Sequence, residues 1–123
     1  MSRRERQILE ILYRLGRASA AEVAAQMPDA PTYTTVRGLL RILERKGHIR
    51  HTADGSRFIY APVLPKAKAG PPALAQVIRT FFDGSPSEAM AALLGSRARL
   101  PDEELRRMAR LLEQARKGRT DAG

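Results

Sequence analysis

The stretch Thr32-Tyr-Thr-Thr-Val-Arg-Gly-Leu-Leu-Arg-Ile-Leu-Glu-Arg-Lys46 constrains this chain most. Wound as an α-helix, at about 100° per residue, it sorts its side chains by face. Val36, Leu39, Leu40 and Leu43 fall within about 100° of one another, a stripe wide enough to bury. Thr34, Arg37, Gly38, Arg41 and Arg45 fill an arc of similar width roughly opposite, with no acid among them. A helix built only for solubility mixes signs there, because i,i+4 pairs of opposite charge support it and like charges oppose it. Arg37, Arg41 and Arg45 stand at i, i+4 and i+8, and a polyanion relieves their repulsion. Gly38 costs about 1 kcal/mol of helix propensity. A glycine at this point leaves room for a phosphate backbone or a base edge. The helix therefore reads as a DNA-recognition helix. The plainer alternative is a solvated face that happens to be basic, and the helix alone does not separate the two.

The rest of the chain does. Its 123 residues allow one domain or two small ones, and 43% hydrophobic with 28% charged is a globular balance. The formal net charge of +9 favours a polyanionic partner, nucleic acid before an acidic membrane surface. The excess is spread over both halves: residues 1–61 hold 11 Lys+Arg against 6 Asp+Glu, and residues 62–123 hold 11 against 7. With no cysteine, disulfides and thiolate metal sites are excluded. Ser2-Arg-Arg-Glu-Arg6 is not followed by an apolar stretch, and no run approaches 18 apolar residues. Neither a signal peptide nor membrane insertion is expected, and the chain reads as cytoplasmic.

Residues 3–15 read as a helix with Ile8, Leu9, Ile11, Leu12 and Leu15 on one stripe and Gly16 at its end. After an extended link, Ser19 looks like an N-cap, with Glu22 three residues on completing a capping box. That helix runs to about Gln26. Pro28-Asp-Ala-Pro31 is a turn, and Thr32 caps the next helix, which ends at Gly47. His48–Thr52 and Arg57–Tyr60 then read as strands of a hairpin, joined by Ala53-Asp54-Gly55-Ser56. Asp-Gly is a strong hairpin signal. Helix, helix, turn, helix and hairpin within about 60 residues is the winged helix-turn-helix plan. In helix-turn-helix proteins the second helix of the motif enters the major groove. Here that is 32–46, the helix already singled out by its basic face.

Residues 63–72 hold three prolines and read as a linker. Three helical stretches follow over 73–116. Leu74, Val77, Ile78, Phe81 and Phe82 share a face in the first. Ala89, Met90, Leu93 and Leu94 mark the second. Leu105, Met108, Leu111 and Leu112 make the stripe of the third, which opens at Leu100-Pro-Asp-Glu-Glu104. About 40 residues seldom bury enough surface to fold alone. The expectation is a helical dimerisation domain that buries these side chains against a second copy. Packing on the winged helix of the same subunit is the alternative. Residues 117–123 lack a core and are expected to fray. The fold class is thus mainly α with a small β-hairpin: a winged helix-turn-helix over 1–62, then a helical domain.

At these residues the sequence resembles the penicillinase-repressor (BlaI/MecI-type) family of winged-helix repressors. The resemblance rests on Glu10-Ile-Leu-Tyr-Arg-Leu-Gly16, Ser19-Ala-Ala-Glu-Val23, Tyr33 through Gly47, and Arg57-Phe-Ile-Tyr-Ala-Pro62. It continues in Phe81-Phe-Asp-Gly-Ser-Pro86 and Leu100-Pro-Asp-Glu-Glu-Leu105. It implies a homodimer on palindromic operators, repressing neighbouring genes. It also implies release when a membrane sensor metalloprotease triggers cleavage of the repressor. Members cut in that way carry an Asn–Phe bond in the second C-terminal helix. Alignment on Leu100-Pro-Asp-Glu puts Leu93-Leu94 there. Copper-sensing relatives end in Cys-x-Cys, and this chain has no cysteine.

The candidate DNA-binding residues are Tyr33, Thr34, Thr35, Arg37, Gly38, Arg41, Arg45 and Arg57. Arg37 and Arg41 can each reach guanine O6/N7 or a phosphate. Arg45 points to backbone or solvent. Tyr33 lies along the phosphate chain or packs on the turn. Arg57 sits at the wing for a phosphate. The candidate dimerisation residues are the large apolar ones named above. His48 and His51 alternate on a strand, with no thiol or carboxylate close in sequence, and read as surface histidines. No cofactor or metal is expected. No nucleophile–base pair or phosphate loop suggests an enzyme. The expected function is a dimeric DNA-binding repressor of palindromic operators. The alternative is a winged-helix protein–protein interaction module with only non-specific DNA affinity.

Overall fold

The computed structural model of the protein describes residues 1–96 and 99–122, with side chains to residue 119. The chain divides into two compact units, residues 1–73 and 74–123.

The first unit opens with α1 (Arg3–Leu15). Ser2 caps it: its hydroxyl accepts from the Glu5 N–H, and the Glu5 carboxylate accepts from the Ser2 N–H. The same reciprocal bond recurs at α2 (Ala20–Gln26), between Ser19 and Glu22, as the sequence led one to expect. Each box satisfies two N–H groups that a helix start otherwise leaves orphaned. Between the helices lies β1 (Ala18–Ser19), too short to carry a period and read from sequence only as an extended link.

The third helix, α3 (Tyr33–Arg45), is capped by the Thr32 hydroxyl, which accepts from the Thr35 N–H. It stops at Gly47, whose φ of 86° suits a residue without a Cβ. The Gly47 and His48 N–H groups turn back to the Glu44 and Leu43 carbonyls at 3.0 Å each, closing the helix end. The hairpin follows as β2 (Ile49–Asp54) and β3 (Arg57–Pro62). It is longer and tighter than the sequence reading, because Asp54 pairs with Arg57 and leaves only Gly55 and Ser56 in the turn. All pairings are antiparallel, in the order β1-β3-β2.

The core of this unit joins all three helices to the sheet. Ile8 and Leu12 from α1, Val23 from α2, Val36, Leu40 and Leu43 from α3, and Ile49 from β2 are essentially inaccessible to water. Each such side chain contributes on the order of 2 kcal/mol of transfer free energy. Leu39, the fourth residue of the expected stripe, packs half-buried against them.

Where the sequence suggests a linker, over 63–72, the chain is ordered on the first unit. The Val63 N–H bonds the His48 carbonyl, and the Tyr13 hydroxyl donates to the Leu64 carbonyl at 2.7 Å. From Lys66 the chain is helical: α4 spans Lys66–Phe81 and contains Pro71 and Pro72. The helix-forming run Lys-Ala-Lys-Ala starts it, with the Pro65 carbonyl accepting from the Lys68 and Ala69 N–H groups. The two prolines remove two helical donors but do not end it.

The second unit continues with α5 (Pro86–Leu94), capped by Ser85, and α6 (Asp102–Ala122). Asp102, Glu103 and Glu104 occupy the first turn of α6, and Arg119 its last, each where the helix dipole favours it. The helix thus persists through 117–122, where the sequence suggests fraying. Gly123 lies outside the described residues. No helix among the described residues is long and apolar enough to cross a membrane.

Candidate nucleic-acid interface

The basic face of α3 stands clear of the core. Thr34, Arg37, Arg41 and Arg45 are exposed, while Val36, Leu40 and Leu43 on the other side are buried. Gly38 lies between the arginines, and a Cβ placed there would meet nothing within 4 Å. Packing in the free protein therefore does not require a glycine. Thr35 is half-buried and its hydroxyl bonds that of Thr32 at 2.9 Å, so it serves the helix cap first.

Tyr33 opens α3. It is exposed, and the Arg37 guanidinium lies over its ring at 5.8 Å from the centroid. A cation over an aromatic face is held by the ring quadrupole, which narrows the arc Arg37 samples. Arg57, at the start of β3, reaches Asp54 at 3.4 Å and Glu22 at 3.9 Å. The second contact ties the wing to the first turn of α2. Between α2, α3 and the wing lies a cleft of about 210 Å³, walled by Ser19, Tyr33, Arg37, Arg57, Phe58 and Tyr60 among others. Five of the eight candidate residues thus fall outside its walls (Thr34, Thr35, Gly38, Arg41 and Arg45), and Tyr33, Arg37 and Arg57 meet there.

The orientation of α3 is set from α1. The Glu5 carboxylate is 5% exposed and accepts from Lys46 Nζ, at the end of α3, at 3.2 Å. The bond from the Ser2 N–H, then that from Lys46, holds the Glu5 carboxyl below the usual range. One residue earlier, Arg4 reaches Asp29, in the turn between α2 and α3, at 2.8 Å. That bond lowers the Asp29 pKa. Glu22 is also lowered, chiefly by the Ser19 N–H and hydroxyl.

Two participants escape the sequence reading. Glu44 borders the basic face on its Arg37 side, so an acid does adjoin the arginines. His51, read as a plain surface histidine, places Nδ1 2.6 Å from Glu44 Oε2 and stacks on Phe58 at 4.2 Å. The tie links the end of α3 to the wing. Burial, followed by the Glu44 charge, raises the Tyr60 pKa beside them.

The residues proposed for dimerisation lie in the second unit. Leu74, Val77, Phe81, Leu93, Leu94, Leu105, Leu111 and Leu112 are exposed. Ile78, Phe82, Met90 and Met108 are half-buried. None is buried within the single chain.

Helix, helix, third helix and hairpin wing, with a basic exposed face on α3, define a protein of the winged helix-turn-helix class. The solved structure of transcriptional regulator PA4135 has this fold in common: TM-score 0.51 at 17% identity, covering 95% of this chain and 78% of that one. No curated protein matches the chain. The penicillinase repressor family matches residues 1–114. The chain belongs to that family of DNA-binding repressors.

Proposed function

We propose that the protein is a homodimeric repressor that reads a palindromic operator with α3 and the wing of each subunit. The observation that carries the reading is the face of α3. Arg37, Arg41 and Arg45 are exposed side by side on a helix whose other side is locked into the core. Arg41 takes a base edge and Arg37, steadied by Tyr33, a base or the adjoining phosphate. Arg45 and Arg57 meet backbone, and Gly38 admits the duplex to close range. The uncovered leucines and phenylalanines of 74–112 supply the second half of the reading. Apolar side chains this exposed are covered in solution by another surface. A second copy also explains how two recognition helices come to face successive grooves about 34 Å apart.

The test is a titration of the purified protein on the intergenic duplex upstream of its own gene, beside a scrambled duplex, at two salt concentrations. A preference of about 10³ or more for the native duplex is expected, within the usual span of specific over non-specific binding. A footprint of two half-sites is expected with it. Log affinity should fall linearly with log salt, by about one unit of slope per phosphate contact. Equal and weak binding to both duplexes would sink the operator reading.

A further inference from the structure

We propose that His51 is a proton-linked contact of the DNA interface, aimed for that task by Glu44. The proposal rests on the DNA-binding reading above.

The chemistry begins with Nδ1. It lies 2.8 and 2.6 Å from the two Glu44 carboxylate oxygens. Only a protonated Nδ1 is compatible with that contact, because a bare lone pair would face two anionic oxygens. The imidazole therefore donates through Nδ1 whatever its charge. In the neutral ring Nε2 is then a bare acceptor. Among the described residues Nε2 has no hydrogen-bond partner. The side chain is 34% exposed, so solvent or a ligand can reach it.

Its surroundings place it at the edge of the reading face. From α3 it meets Glu44, which stands three residues beyond Arg41 and seven beyond Arg37. From β3 it meets the rings of Phe58 and Tyr60, at 4.2 and 5.8 Å. Those two rings are also walls of the cleft shared with Tyr33, Arg37 and Arg57. Tyr60 in turn feels Glu44, Arg37, Tyr33 and Arg41. Pairing of His51 with Tyr60 across the hairpin fixes the register of this cluster.

A phosphate brought to this edge meets two obstacles when His51 is neutral. The Glu44 charge is uncancelled, and Nε2 offers a lone pair where a donor is needed. One proton taken from solvent onto Nε2 removes both: the ring becomes a cation between two anions, donating to each. DNA binding and proton uptake are then linked, and binding strengthens as pH falls through the range in which histidines change charge.

The experiment measures affinity for the upstream intergenic duplex and its scrambled counterpart at pH 8 and pH 6, at fixed ionic strength. Wild-type protein is expected to bind the intergenic duplex about five- to tenfold tighter at pH 6, the span one linked proton allows once incomplete protonation is counted. Calorimetry in two buffers of different ionisation enthalpy should register the proton taken up. His51→Gln should abolish both signals, and Glu44→Gln should tighten binding at pH 8 and flatten the pH response. His48→Gln, which alters the chain's other histidine, should keep the wild-type response. An undiminished response in His51→Gln, or a flat one in wild type, overturns the proposal. Failure of the underlying reading looks different: a folded wild-type protein that binds neither duplex at either pH.

Discussion

The two units of this chain solve opposite problems. In residues 1–73, apolar side chains from three helices and a sheet close on one another until seven are essentially dry. In residues 74–119, no described residue is buried at all, and Phe81 remains 74% exposed. The apolar stripes of α4, α5 and α6 are less sharply segregated than those of α1 and α3, and the supply of facing surfaces is smaller too. Three helices with one apolar stripe each, and no sheet to cap them, seldom enclose a core in so few residues. A short chain can thus hold one region that closes a core and another whose large apolar side chains stay uncovered within the single chain.

The sharpest test of this contrast is truncation inside each unit. Leu40→Ala should cost about 2–5 kcal/mol of unfolding free energy, as buried leucines do. Leu112→Ala should leave the first unit's denaturation midpoint unchanged, both read by urea titration. A large loss from Leu112→Ala at all protein concentrations would mean that the second unit is packed within the subunit. Next comes Phe81→Glu, which places a charge on the uncovered face. It should weaken self-association by about 2 kcal/mol, the scale of an interface hot spot, in sedimentation equilibrium. Near-UV spectra of the first unit should not change.

Arg41→Ala should weaken operator binding by about 1–3 kcal/mol if the side chain reads a base. Stability should stay within about 0.5 kcal/mol, because the residue is exposed. Gly38→Ala separates fold from function more finely. The added methyl meets no neighbour, so stability should rise by about 0.5–1 kcal/mol while DNA affinity falls. A variant that is stabler and binds equally well would remove the close-approach role of this glycine.

The smallest effect is that of acid. Glu5, Glu22 and Asp29 all have lowered pKa values in the folded protein. Their contribution is therefore present above the ordinary carboxylate range and is lost as pH falls below it. Glu5→Gln should flatten the acid limb of the stability profile of the first unit.

The third helix, its cap at Thr32 and the Ser19 box were legible because they are written in contiguous residues. So was the wing, since Asp54-Gly55 marks its turn. What escaped involves partners far apart in sequence or segments too short to show a period. The Ser2–Glu5 capping box went unread, and nothing local says that Lys46 also reaches Glu5. The two residues of β1 have no pattern. His51 and Glu44 are seven apart on different elements, and only the hairpin's placement against α3 brings them together. The helix across 66–72 was hidden by prolines, which argue against helix on average without forbidding it. The apolar residues of 74–112 were readable as helical stripes, and none of them is buried within the chain. Nothing within one chain writes down a cover for them.

One consequence follows from the strand order. β3 lies in the middle, so β2 is an open edge whose outward backbone groups could recruit a foreign strand. Beyond Ile49 every residue of that edge, Arg50 through Asp54, is exposed, and charges stand near both of its ends. Such an edge is poorly suited to sheet growth from one molecule to the next. Concentrated solutions of the protein should accordingly resist amyloid-like aggregation through the wing, and engineering for solubility has little to gain at this hairpin.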